Sequence, residues 1–534
     1  MIEHHLQSWV IYIDNMRRYL ITFLIAIITT SGSGYTNAQI KNNGAIGSVT
    51  IDGKIWNQVA MRPLVPIGKF AVAFDLVIYF DAEGNVRSEG WDFSSSMAIK
   101  NSLIDKIYYV KYGSPGASTY VRIGALDKID LGYGILVNGY SNSILYPQDR
   151  KIGATLEKNN QSFKFKGFVN DLKENAGLYG GRIQTNDILG FPIGFTFVSD
   201  RNQYLGLKDS DNDGRPNIVD DFPYDNKWWL DTDGDGLSDY DPGEWDIDGD
   251  GITDTLDSRI PGYTGDPFIL DNNVIRKDEP INLNEDSDGI MALAIDIGLP
   301  LIRNENYFVT FYSQAAQMIG RAINPETNKT ENLGIGIIPL GVASQFGLLK
   351  FKLEYRMIPK GGFEFDYWNR MYELERISFI RDNSSQVLLR TKESKLGRYG
   401  KQQGYFSGAS LSFGDILQGN LSYTNMTGNL WSESNSQFIK SKNQSFLSSL
   451  SLKKGFSKLK RASVFYQQRN VPNPFKFEYS ESTIVGYNLG ISMGQGLVLN
   501  YIFRRSFRDY NANGRIDGVS ETIDITSIET SFIF

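Results

Sequence analysis

Three short phrases hold the residues best suited to chemistry: Asp209-Ser-Asp211-Asn-Asp213-Gly214, Asp231-Thr-Asp233-Gly-Asp235-Gly236 and Asp246-Ile-Asp248-Gly-Asp250-Gly251. Three residues past the closing glycine stand Asn217, Asp239 and Asp254, and Asp220 and Asp257 complete the acidic set. Side-chain oxygens on alternate residues converge when the chain curls around a cation, and the glycine permits the tight turn. Ca²⁺ takes about six to eight hard oxygen ligands, which such a loop supplies with its backbone carbonyls. Mg²⁺ demands stricter geometry, and transition metals favour nitrogen or sulfur. Carboxylates ~5 Å apart repel by roughly 0.8 kcal/mol per pair even in water. The stretch is therefore expected to be extended without cations and compact with them. An acidic solvated linker is the plainer alternative.

On these residues, and on the trailing Pro223 and Pro242, the stretch resembles thrombospondin type-3 calcium repeats over about 50 residues. The resemblance implies bound Ca²⁺ as the cofactor. No EF-hand is implied, since no helices flank the loops. The second and third phrases are 15 residues apart and the first and second 22, so the first site is the least regular. A looser loop, Asp509-Tyr-Asn511-Ala-Asn513-Gly514-Arg-Ile-Asp517, reads equally as a weak calcium site or an ordinary Asn-Gly hairpin loop.

The rest of the composition excludes more than it offers. Among 534 residues there is no cysteine, and the only two histidines are His4 and His5. Triads, Cys-His dyads, Cys/His zinc sites and disulfides are thereby removed. Outer-membrane phospholipases, omptin-like proteases and palmitoyl transferases resemble one another in needing a histidine, so a non-enzymatic protein is expected. Glu364 and Asp366 read as loop or plug residues rather than an acid/base pair. Gly132-Tyr-Gly134 lacks the Lys-Ser/Thr and the helix of a phosphate loop. Arg504, Arg505 and Arg508 form a basic cluster near a strand's outer end: a mouth lining, a contact for lipopolysaccharide phosphates, or a solvated rim. The acidic balance opposes nucleic acid as a partner.

Targeting follows from the start of the chain. Met16-Arg17-Arg18 precedes an apolar run of about 12 residues, too short for the ~20 that span a bilayer. Small and polar residues follow, so 1–38 reads as a secretory signal cut after Ala38, with 1–15 an upstream extension. Exported, the chain divides into 39–204, the acidic insertion 205–287 and 288–534. Residues 205–258 carry 17 Asp/Glu against 3 Lys/Arg, a net −14 that leaves +7 for the remainder.

Both flanking segments alternate apolar and polar residues with period two, the mark of strands. Val485, Tyr487, Leu489, Ile491 and Met493 alternate with Gly486, Asn488, Gly490 and Ser492; after Gly494-Gln495-Gly496, Leu497, Leu499, Tyr501 and Phe503 resume the greasy face. The opposite face is Ser, Asn, Gly and Gln, as a wet lumen would be. Ten residues at ~3.3 Å, tilted ~45°, cover ~24 Å, the height of the lipid-facing band of an outer-membrane barrel. Thr530, Phe532 and the terminal Phe534 share one face, an ending that resembles the β-signal of bacterial outer-membrane barrels. The expected fold is an all-β transmembrane antiparallel barrel of roughly 16–20 strands.

Loop lengths alternate as such a barrel requires. Walking back from Phe534, loops at 508–518, 470–478, 427–441, 359–401 and 319–330 alternate with turns at 494–496, 454–455, 414–415, 345–347 and 303–304. With short turns on the periplasmic side, the acidic insertion faces out, where ~10⁻⁴–10⁻³ M calcium sites fill. Expected partners are outer-membrane lipid, calcium ions and an extracellular ligand or surface protein. A porin-like channel with 359–401 folded inward, a surface anchor presenting the repeats, and a soluble secreted β-protein remain open readings.

Overall fold

The structure is a computed structural model that describes residues 43–533, apart from 89, 92, 94–95, 175, 186–190, 255–275, 305–306, 382–386, 415, 495 and 512–514. The signal segment, Asp257, Phe534 and the middle of the 509–517 loop lie outside the described residues. One sheet contains 22 strand segments. Lys54–Met61 runs on into Leu64–Ile67, and Phe70–Phe74 into Leu76–Phe80, forming one hairpin of two interrupted strands. The sheet therefore has twenty staves, all antiparallel to their neighbours. It closes where Asn43–Ile51 pairs with Thr522–Ile533, Gly44 facing Phe532 and Val49 facing Ser527. Closure leaves no edge, the condition for strands to cross a bilayer.

The outer wall is greasy because the pleat sends alternate residues out. Along Ile290–Arg303, Met291, Leu293, Ile295, Ile297 and Leu299 are exposed, while Ile290, Ala292, Ala294 and Asp296 are buried inward. The face holding Leu489, Ile491 and Met493 is exposed in the same way, with Gly490 inward. Among the described residues, no second layer covers these side chains. Exposed aliphatics outside and small or polar residues inside are inverted for a soluble protein and correct for a bilayer.

Chain connections keep the expected parity, with one boundary corrected. Residues 427–441 are not a long loop: strands Leu417–Ser432 and Gln437–Leu452 continue through them and meet at a short turn over 433–436. Above Tyr423 and Phe446 the outward face turns to Asn425, Thr427, Asn429, Gln444, Lys442 and Lys440 before Trp431 and Phe438 at the tip, so the greasy period breaks although the hydrogen-bonded ladder does not.

Two outer connections fold into the lumen, 125–152 and 362–398. They meet in a short parallel pairing of Val137–Asn138 with Trp368–Asn369. Around it lies a core of Leu131, Leu136, Tyr140, Phe363, Tyr367, Trp368 and Tyr372 against the inward Ile290, Ala292, Ala316 and Ile338 of the wall. Gly132 and Gly134, with φ of 61° and 86°, belong to this inward loop and not to a strand. A Cβ on Gly132 would lie 2.7 Å from Arg182 Nε, so the bare backbone is what lets the loop reach the wall.

If the outward face meets acyl chains, Ile295→Arg near mid-strand should lower folding free energy into vesicles by about 2–4 kcal/mol. Thr330→Arg, in the exposed hairpin strand Lys329–Asn332, should leave it unchanged. Urea titration of refolding measures both, and equal effects would contradict the embedded orientation.

Candidate functional site

Charge pairs fasten the plug to the barrel. Arg376, wholly buried on the plug, donates from Nε and Nη2 to Asp200 at 2.7 and 2.9 Å, and from Nη1 to Glu174 at 3.1 Å. Tyr372 donates to the same Asp200 at 2.7 Å. Across the lumen Arg356 bridges Glu354 on its own strand (2.7 Å) and Asp366 on the plug (2.8 Å). Arg469 of the wall reaches Glu364 at 2.9 Å. Glu364 and Asp366 are thus plug anchors. The arginine cluster expected at the rim is dispersed: Arg504 donates inward to the carbonyls of Ile144 and Tyr146, Arg505 pairs outward with Asp524 at 2.6 Å, and Arg508 reaches the Ile377 carbonyl.

Cavities lie at either end of the plug. On the side of the short turns, a cavity of about 1110 Å³ is lined by Leu131 and Tyr133 of the plug and by Lys164, Lys166, Arg182 and Arg303 of the wall. Arg182 is held by Asp296 at 2.6 Å. On the outer side a polar cleft of about 800 Å³ runs between Lys151 of the plug, Asp171 and Lys173 of a barrel loop and Asp209, Ser210 and Asn212 of the first acidic loop.

The acidic insertion folds as three copies of one hydrogen-bond pattern. The first aspartate accepts from the closing glycine N–H: Gly214 to Asp209 and Gly236 to Asp231 at 3.0 Å, Gly251 to Asp246 at 2.9 Å. Those glycines have φ of 96°, 95° and 91°, which side-chain-bearing residues rarely adopt. The middle and last aspartates each accept from a backbone N–H two residues on, as Asp213 does from Arg215 at 2.6 Å and Asp250 from Ile252 at 2.7 Å. This turns their free oxygens inward. Within each trio, Asp209/Asp211/Asp213, Asp231/Asp233/Asp235 and Asp246/Asp248/Asp250, carboxylate oxygens lie within 4.8 Å of one another.

The trailing residues brace each loop. Asn217, Asp239 and Asp254 accept from the N–H of Ser210, Thr232 and Ile247 at 2.8, 2.7 and 3.0 Å. Asp239 spends its second oxygen on the Thr232 hydroxyl, leaving least for an ion. The first loop gains from its longer step. Asp220, only 7% exposed, stands near its aspartates, and Oδ2 of Asp211, Asp213 and Asp220 are all buried without a partner. Burial, with the charges of Asp213, Asp211 and Asp209, pushes Asp220 up to about 7, and burial pushes Asp209 up to about 6. In the third loop Oδ1 of Asp246 and Oδ2 of Asp250 are likewise buried and unpartnered, as is Oε2 of Glu244, which spacing alone did not single out. The oxygen-only donor set and its unspent lone pairs fit a hard divalent cation.

Both legs of the insertion end on the plug. Gln203 Oε1 accepts from the Tyr367 hydroxyl at 3.1 Å and the Glu393 N–H at 3.2 Å, Arg376 donates to the Asn202 carbonyl at 3.1 Å, and Thr391 donates to Asp288. In the returning segment, Lys277 pairs with Asp221 at 3.2 Å and Trp229 donates to Glu279 at 3.0 Å. Glu364 and Asp366 are the loop or plug residues expected from the sequence, but their partners Arg356 and Arg469, the Arg376–Asp200 pair and these legs leave no local signal in it. The one signal of the plug was the dense Phe-Glu-Phe-Asp-Tyr-Trp run at 363–368.

No family model matches the chain, and no curated protein matches it. Solved structures similar to it include OccK5 (OpdH) of Pseudomonas aeruginosa at 7% identity and TM-score 0.34, covering 93% of this chain and 97% of that one. OccAB2 of Acinetobacter baumannii matches at 8% and 0.34, covering 93% and 98%. The outer membrane protein OpdK of Pseudomonas aeruginosa matches at 7% and 0.32, covering 93% and 99%. The fold assignment rests on the strand pairing of the chain itself: an all-β, closed, twenty-stave transmembrane barrel with a plugged lumen.

Proposed function

We propose that the protein is an outer-membrane channel, closed across its outer half by the plug and capped by a calcium-loaded extracellular module. The observation that carries this reading is the arrangement of the lumen. A cavity lined by Lys164, Lys166, Arg182 and Arg303 opens below the plug, and charge pairs to Asp200, Arg356 and Arg469 pin the plug alongside its apolar contacts with the wall. Side chains such as Gln402, Asn420, Asn488 and Asn500 keep the lumen side of the remaining wall polar. The reading assigns no catalysis.

Calcium supplies the charge compensation that the insertion lacks on its own. Asp209, Asp211, Asp213 and Asp220 would hold the first ion, Asp231, Asp233 and Asp235 the second, and Asp246, Asp248 and Asp250 the third. Backbone carbonyls complete the shells, and Asn217, Asp239 and Asp254 keep the loops in register. A second reading, a non-conducting anchor that displays the repeats to an extracellular partner, is favoured by how completely the hydrophobic core fills the outer half of the lumen.

Single-channel recording in planar bilayers separates the two. The intact protein should pass little current, and Trp368→Ala with Arg376→Ala, which removes a plug centre and its buried guanidinium, should raise conductance several-fold. A variant that remains folded and stays silent would support the anchor. For the module, Asp233→Ala with Asp248→Ala should weaken calcium binding by about tenfold or more at each affected loop, ~1.4 kcal/mol. It should also open 205–258 to protease while the barrel's heat resistance in detergent is unchanged. Calorimetric titration and limited proteolysis give the first two readouts. Equal loss of barrel heat stability would mean that the module is integral to the barrel.

A further inference from the structure

The outer rim over strands Tyr399–Phe413, Leu417–Ser432 and Gln437–Leu452 carries a feature that neither channel closure nor calcium binding uses. Lys440 lies opposite Asn429 and Lys442 opposite Thr427, on the same outward face as Tyr423 and Phe446 below them. Thr427 lies opposite Gln403 on the next strand, and Lys401 follows at the bulge between Tyr399 and Gln402. All three lysines are exposed. None is ion-paired among the described residues; the acid at this rim, Glu433, is taken by Arg398 at 2.8 Å. Strand spacing puts Lys401 about 10 Å from Lys440 and about 12 Å from Lys442, and these two about 7 Å apart. Flexible stems of that length can converge on one phosphate group.

Beneath the lysines is an aromatic collar built by a loop that folds outward. The segment 472–480 lies against the outside of the barrel, tied down where Gln468 donates to the Glu478 carbonyl and capped within itself where Asn473 accepts from the Phe475 N–H at 3.0 Å. It places Phe475 5.4 Å from Tyr423 and 5.2 Å from Phe446, and Phe477 5.5 Å from Tyr466. Phe475 and Phe477 nevertheless stay 50% and 56% exposed. Phe477 sits at φ 54°, a left-handed conformation that a bulky residue rarely adopts. The backbone bears strain here to leave aromatic rings uncovered on the lipid side. Aromatic rings at that height mark the boundary between acyl chains and headgroups. The lysines start four residues above Phe446, ~10 Å along a tilted strand, and their stems reach back into the headgroup layer.

We propose that this rim binds a phosphorylated lipid of the outer leaflet, the phosphate held by Lys401, Lys440 and Lys442 and the acyl chains packed on Tyr423, Phe446, Phe475 and Phe477. Charge complementarity selects the head, and continuity with the lipid-facing belt selects an acylated molecule over a soluble anion. Native mass spectrometry of the full-length delipidated protein in detergent tests it, with diphosphoryl lipid A, its phosphate-free counterpart and inorganic phosphate as probes. The phosphorylated lipid should bind at least tenfold tighter than the phosphate-free one. K401Q/K440Q/K442Q should remove that preference, F475A/F477A should weaken both lipids, and millimolar phosphate should displace neither. K453Q/K454Q, at a short turn on the opposite mouth, controls for lost charge, and the heat-dependent shift in gel mobility controls for folding. The proposal is overturned if the folded triple variant keeps the preference, if both lipids bind alike, or if inorganic phosphate competes as well as the lipid.

Discussion

Pairing of buried charge between the plug and the wall is the constraint from which the rest of the molecule follows. A barrel of twenty staves encloses far more space than its own inward side chains can fill, so the lumen is either water or another part of the chain. Here Arg376 with Asp200, Arg356 with Asp366 and Arg469 with Glu364 tie one inward connection to three separate places on the wall. A buried charge stripped of its partner costs about 3–5 kcal/mol, whereas a well-made pair adds little net stability over an apolar replacement. Such pairs therefore fix position more than they add strength. They specify one seating of the plug in a lumen whose apolar contacts alone would tolerate several.

The same logic applies outside the membrane with its sign changed. Within the barrel Asp200, Glu354, Glu364 and Asp366 each meet a guanidinium. In the insertion the backbone N–H groups use one oxygen of most aspartates and turn the others toward one another, with Arg215 and Lys277 placed at the periphery. In the proposed reading, bound ions compensate the charge of such a module. It stands on two legs whose last residues, Gln203 and Asp288, are bonded to plug residues, so the cap and the closure are parts of one hydrogen-bonded assembly.

What the sequence revealed was local. The aspartate phrases were legible because their geometry is set within nine residues, and the strands because a two-residue period needs only neighbours. The outward face of Leu489, Ile491 and Met493 could be assigned before any pairing was known. The turn at 433–436 was misplaced because the strands beside it rise beyond the lipid, where nothing selects a greasy face. The inward course of 125–152 was invisible for a different reason. Its Leu131, Leu136 and Tyr140 follow no period, being buried by residues more than two hundred positions away such as Trp368. Asp220 belongs to the acidic set named from the sequence; what the 22-residue step hides is that it folds back beside Asp209, Asp211 and Asp213.

The strand Ile290–Arg303 is apolar on both sides over its outer half, Met291, Leu293 and Ile295 facing lipid and Ile290, Ala292 and Ala294 facing the plug. A cylinder that sealed while still hollow would wet that inner strip at ~25 cal/mol per Å². It would then have to thread two bulky hairpins through a finished mouth. Assembly is easier if the lumen is stoppered while the seam between the first and last staves is still open. The strip thus links the order in which the chain enters the membrane to the way the finished vessel is shut.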